Sequence, residues 1–149
     1  AGEYRVAGEH DFADAPFGLA RSGSRSVFHT ADARFAYVFT SFASSAFPAK
    51  VLTFTGRRFA DVTRRHRNYV KRMARSHWRA YVRYRGRAEV RGVFAAWAAE
   101  MYTLGQGKRA QRELRRGVKR RWFGGRREWR RGSAYARYLN RFLRRTGYR

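Results

Sequence analysis

Cysteine is absent from this 149-residue chain, which excludes disulfides, thiolate metal sites and cysteine nucleophiles. Acid is scarce. Ten Asp and Glu stand against thirty-five Lys and Arg, a formal net charge of +25. A compact domain with that surplus repels itself, so the composition points to a polyanionic partner. Long apolar runs are also lacking. The longest uncharged stretch, residues 35–49, falls short of the ~18 residues a membrane span needs and is dotted with Ser and Thr. The first twenty residues hold four acids and one Arg, which does not suit a transit peptide.

What is present is aromatic and basic. Aromatics make up 17% and hydrophobics 44% of the residues, too rich for a disordered tail. The charge is uneven. Residues 1–50 hold five basic and five acidic side chains; the remaining thirty basic and five acidic ones follow. The sequence therefore divides into a neutral, aromatic-containing N-terminal extension, 1–55, and a basic body, 56–149. Almost all of the base is Arg, whose planar fork binds phosphate bidentately and stacks on bases.

Gly2, Gly8, Pro16, Gly18 and Ser22-Gly23-Ser24 punctuate residues 1–34, which read as irregular. Residues 35–47 fit a strand or a helix, with Ala and Ser tilting the reading toward helix. Beyond them the body reads as all-α. Apolar or His positions recur at helical period from Phe59 to Tyr84, within an arc of roughly 120°. Asp61 is the expected N-cap and Gly86 the expected C-terminal stop. That helix would be ~37 Å long. Further helices are expected over about 88–104, about 108–122, and from Ser133 as N-cap to Gly147. The predicted fold class is all-α: a long basic helix, then a small helical body, with an irregular N-terminal extension.

The expected binding surface is the polar arc of the long helix: Arg64, Arg67, Lys71, Arg72, Arg75, Arg79 and Arg83, continuing into Arg85 and Arg87. No acid occurs between Asp61 and Glu89, and unpaired like charges at i, i+4 destabilise a free helix until something neutralises them. Trp78 falls inside this arc. It reads either as a stacking platform for an unpaired base or as a hydrophobic contact with a protein neighbour. Trp122, Phe123 and Trp129 alternate with Lys119, Arg120, Arg121, Arg126 and Arg127, and Arg137 and Arg141 line the last helix; aromatic–Arg interleaving of this kind suits RNA. His66 and His77 lie roughly 16 Å apart by helix rise, too far for one metal, and read as core histidines. Gly105-Gln106-Gly107-Lys108 hints at a phosphate loop but fails it. Tyr102 stands at the first glycine position, and Arg109 stands where Ser or Thr would bind magnesium. No catalytic, metal or cofactor constellation emerges.

Three segments resemble a known family. Tyr84-Arg85-Gly86-Arg87, then Val118-Lys119-Arg120-Arg121-Trp122-Phe123, then Ala134-Tyr135-Ala136-Arg137-Tyr138-Leu139-Asn140 with Leu143-Arg144-Arg145-Thr146-Gly147, resemble in order the motifs of the L-twenty ribosomal proteins of bacteria and organelles. The resemblance covers about residues 65–148. The family's Ala-rich helix after its Trp-Ile is replaced here by Gly124-Gly125 and Arg-rich sequence, and residues 1–55 have no counterpart. The resemblance implies an all-α protein in which a basic helical arm threads between rRNA helices and a small domain packs on rRNA, without catalysis.

The expected function is thus a structural constituent of a mitochondrial large ribosomal subunit, located in the matrix. It would bind large-subunit rRNA, meet neighbouring ribosomal proteins through its N-terminal extension, carry no cofactor and form no homo-oligomer. The alternative is a basic accessory subunit of another organellar assembly, such as a respiratory complex, meeting acidic subunits or anionic lipid.

Overall fold

A computed structural model describes residues 6–13, 15–124 and 131–149. Four strands and four α-helices follow in order: β1 (Gly18–Ser22), β2 (Arg25–Ala31), β3 (Ala49–Phe54), β4 (Phe59–Asp61), α1 (Arg67–Arg83), α2 (Val90–Thr103), α3 (Gly107–Lys119) and α4 (Gly132–Arg145). The strands form one antiparallel sheet in the order β1-β2-β3-β4. The chain is therefore mixed α/β, and the expectation of an all-α fold with an irregular N-terminal extension is corrected.

The hairpin explains part of that error. Ser22 pairs with Arg25, leaving a two-residue loop in which Gly23 has φ 60°. Gly in that position is what a tight hairpin turn needs, because its backbone twist matches the strands. The same Gly and Ser residues, taken as loop punctuation, hide two strands. Val27, Phe28 and Thr30 supply the β-formers of β2.

The helical period from Phe59 is likewise overridden. Phe59–Asp61 pairs with β3, and the Val62 amide donates to the Val51 carbonyl at 2.9 Å. Asp61 does not cap α1. Its carboxylate accepts from the Thr63 amide at 2.9 Å and hydroxyl at 2.6 Å, holding a 3₁₀ turn at Thr63–Arg65. Phe59 and Val62, three apart, fit a 3.6 period, but a three-residue strand is too short to display its own alternation, and ladder bonds to β3 decide against the helix. The α1 helix is left with 17 residues, about 25 Å. Residues 35–47 form no α-helix either, only the 3₁₀ turns Ala33–Phe35 and Phe42–Ser44. The last helix starts at Gly132 with Arg131, not Ser133, at its N-cap.

The α2 helix is the centre of the molecule. Every residue from Val90 to Met101 is buried, including Arg91 and Glu100. A helix buried all round must be enclosed on every side. Trp97 meets Trp78 and Tyr81 of α1, and Phe94 meets Phe123, the residue just beyond α3. Tyr135 of α4 donates to the Arg91 carbonyl at 2.7 Å. Gly92 lets the segment before β3 approach: a Cβ there would stand 3.0 Å from both the Ser44 carbonyl and the Thr40 hydroxyl. One hydrophobic core runs through Phe35, Phe39 and Ala49 into all four helices, so both sides of residue 55 contribute to it. Phe35 and Phe39 pack edge-on against Phe142 at 4.9 and 5.2 Å.

Candidate nucleic-acid interface

Six cations lie on α1: Arg67, Lys71, Arg72, Arg75, Arg79 and Arg83, all exposed. At 100° per residue they occupy an arc of about 160°. The buried side of the same helix holds Val70, Ala74 and Tyr81. Among the described residues none of these six makes an ion pair, and three acids, Asp32, Glu100 and Glu113, are engaged inside the fold. Glu100 is 1% exposed, lies 3.0 Å from His77 Nδ1 through both carboxylate oxygens, and accepts from the Ala49 amide at 3.1 Å. Burial pushes its carboxyl above the usual range, with His77 and the Ala49 amide opposing. Glu113 accepts from the Tyr81 hydroxyl at 2.9 Å and meets Arg85 at 3.3 Å and Arg116 at 3.8 Å. Asp32 takes Arg34 and the Tyr148 hydroxyl.

The other expected binding residues are scattered. Arg64 is exposed in the 3₁₀ turn before α1. Arg67 turns one nitrogen onto the Leu104 carbonyl at 3.1 Å. Arg85 is drawn inward, its guanidinium over Trp122 at 4.3 Å and Tyr81 at 4.9 Å, so much of it is committed to the fold. Arg87 is exposed in the α1–α2 turn. Lys119, Arg120 and Arg121 are exposed at the end of α3, with Arg121 in the left-handed region at φ 58°. Trp122 is half-buried beneath Arg85. Arg137 and Arg141 face solvent on α4 and line a separate depression with Asn140 and Arg144. Arg126, Arg127 and Trp129 lie outside the described residues.

Trp78 differs from its sequence reading in one respect. It joins an intramolecular aromatic cluster, 4.8 Å from Trp97 and 5.3 Å from Tyr81 by ring centroids. The arc that α1 buries is wider than its apolar stripe. One flank meets the sheet, where the Tyr69 hydroxyl donates to the Thr30 carbonyl at 3.1 Å and its ring stacks on His29. The other flank meets α2 through Ala74 and Trp78. The indole remains half-buried and lines an open cleft of about 350 Å³ with Trp97, Lys71, Arg75, Arg79 and Arg109. Arg109, in the first turn of α3, sits 5.7 Å from the Trp78 ring and 6.0 Å from the Trp97 ring. Sequence reading passed over Arg109 because it was weighed only against a phosphate-loop pattern. Its place one turn after a Gly-led helix start was the available signal.

The histidines belong to the packing. His77 partners Glu100, and His66 lies edge-on to His29 at 6.0 Å. Burial, then the charges of His66 and Arg72, hold His29 below the usual imidazole range. Among the described residues no group of three His, Cys, Asp or Glu could hold a metal ion, and no helix is long and apolar enough to cross a membrane. Comparison with protein-family models, with curated proteins and with solved structures gives no match.

Proposed function

We propose that this chain is a non-catalytic RNA-binding protein whose main contact is the exposed cationic face of α1. The observation that carries the reading is the separation of charge. The acids Asp32, Glu100 and Glu113 are buried and bonded internally, while six cations on one helix are exposed and make no ion pair among the described residues. Phosphate is the anion that Arg forks fit, and a row of cations on one helix face suits a polyphosphate strand better than a single ion. The α4 pair Arg137 and Arg141 supplies a second phosphate contact. The setting implied by the sequence resemblance is the large subunit of a mitochondrial ribosome, with rRNA as the polyanion and neighbouring ribosomal proteins as further partners.

Co-sedimentation of the full chain from its native extract, with and without ribonuclease, tests this. Release from large particles on ribonuclease treatment supports it. Retention on ribonuclease-treated particles, or recovery on anionic vesicles with no RNA binding, overturns it in favour of an acidic-protein or lipid partner.

A further inference from the structure

We propose that the cleft between α1 and the start of α3 is a slot for one unpaired base of a single-stranded segment. Trp78 and Trp97 form its floor. Lys71, Arg75 and Arg79 form one wall, and Arg109 the other. The inference rests on the RNA-binding reading and gives it a substrate class.

Three features carry it. The first is the floor. Trp97 is 2% exposed, so Trp78 is the ring that meets solvent, held in place by Trp97 at 4.8 Å and therefore rigid. A fixed indole offers a π-face that every base can use. The second is the rim. Lys71, Arg75 and Arg79 stand at i, i+4 and i+8, about 6 Å apart along the axis, close to the separation of successive phosphates in an extended strand. Among the described residues no acid lines the cleft. The third is size. About 350 Å³ lies at the low end of the ~300–1,000 Å³ of small-ligand sites. That admits one base and its phosphate but not a duplex, whose bases are already stacked on each other. Arg109 now covers both indoles and makes no ion pair among the described residues. It swings aside as the base enters and stacks its planar guanidinium on the outer face.

The test uses the full chain and three fluorescent RNAs, 5′-phosphorylated on every strand so that each carries the same number of phosphates: a twenty-nucleotide oligouridylate, its abasic ribose-phosphate counterpart and a ten-base-pair duplex. Anisotropy at fixed salt should show the oligouridylate binding about tenfold tighter than the abasic strand, with the duplex no tighter than the abasic strand. Trp78→Leu keeps an apolar cover over Trp97 but has no π-face. It should bring oligouridylate down to the abasic affinity and leave the abasic affinity unchanged. If the abasic strand or the duplex binds the wild-type chain as tightly as oligouridylate, the slot is refuted while the cationic face stands. That comparison needs no variant and so survives any loss of folding in Trp78→Leu. If none of the three binds, the RNA-binding reading falls, and the slot with it.

Discussion

At the scale of single residues, the buried carboxylates decide more than the arginines. His77 was expected to be a core histidine, and its partner is an almost fully buried Glu100. Removing it leaves the Glu100 carboxyl without its side-chain hydrogen-bond partner in the centre of the molecule. His77→Leu should therefore cost about 1–3 kcal/mol, measured by urea denaturation, and the loss should shrink when Glu100 is also made Gln. Equal losses in the single and double variants would show that the pair is not coupled. Asp32 gives a pH signature. Burial raises its pKa, but hydrogen bonds and charge from Arg34, the Tyr148 hydroxyl and Lys50 outweigh that and hold it below the usual carboxylate value. A depressed folded pKa contributes stability above the unfolded value, which is lost as the pH falls through the folded one. Asp32→Asn should cost about 1–3 kcal/mol at pH 7. Its deficit against wild type should close below about pH 4, near the ordinary Asp value. A gap that stays constant from pH 7 to pH 3 would contradict the ionic role.

At the scale of elements, the turns are as informative as the helices. Gly117 lies in the last turns of α3, where Gly ordinarily weakens a helix by roughly 0.5–1 kcal/mol relative to Ala. Here a Cβ would stand 2.3 Å from Phe123 Cε2 and 2.7 Å from its Cζ. Phe123 is fully buried, 4.9 Å from Phe94 and 4.8 Å from Tyr135 by ring centroids, and has nowhere to retreat. Gly117→Ala should destabilise by about 1–3 kcal/mol despite its better propensity; a raised melting temperature would show that Phe123 repacks freely. Among the helices, α2 and α3 were legible because Gly105 stops the first and Gly107 opens the second. The strands were harder to read. Their turn residues read as irregular loop, and residues 59–62 carry apolar spacing that fits the helical period although β4 is paired to β3.

At the scale of the whole molecule, charge separation sets the behaviour expected in solution. If the six exposed cations of α1 each neutralise a phosphate, the log of RNA affinity should fall against the log of salt with a slope between about −4 and −5. The double variant Arg75→Gln, Arg79→Gln should flatten that slope by about 2. Both substitutions are on exposed positions without internal partners, so folding should be unchanged by circular dichroism. A slope near −1 would mean that the arc is merely solvated.

The sequence by itself determined the surplus of positive charge, its concentration after residue 50, the helical body and the acid-free interval that becomes the exposed face of α1. Those properties depend on local spacing and composition, which a single chain displays directly. The tertiary structure alone decided which residues that face keeps. It turned Arg85 toward Trp122 and Glu113, set Trp78 on Trp97, brought Arg109 across from α3 and paired four strands between residues 18 and 61 into a sheet that joins the core through Ala49. None of these follows from periodicity. Each depends on elements distant in sequence competing for the same buried surface, and burial of Glu100, Glu113 and Asp32 against their own partners helps leave the cations of α1 exposed and, among the described residues, without ion pairs.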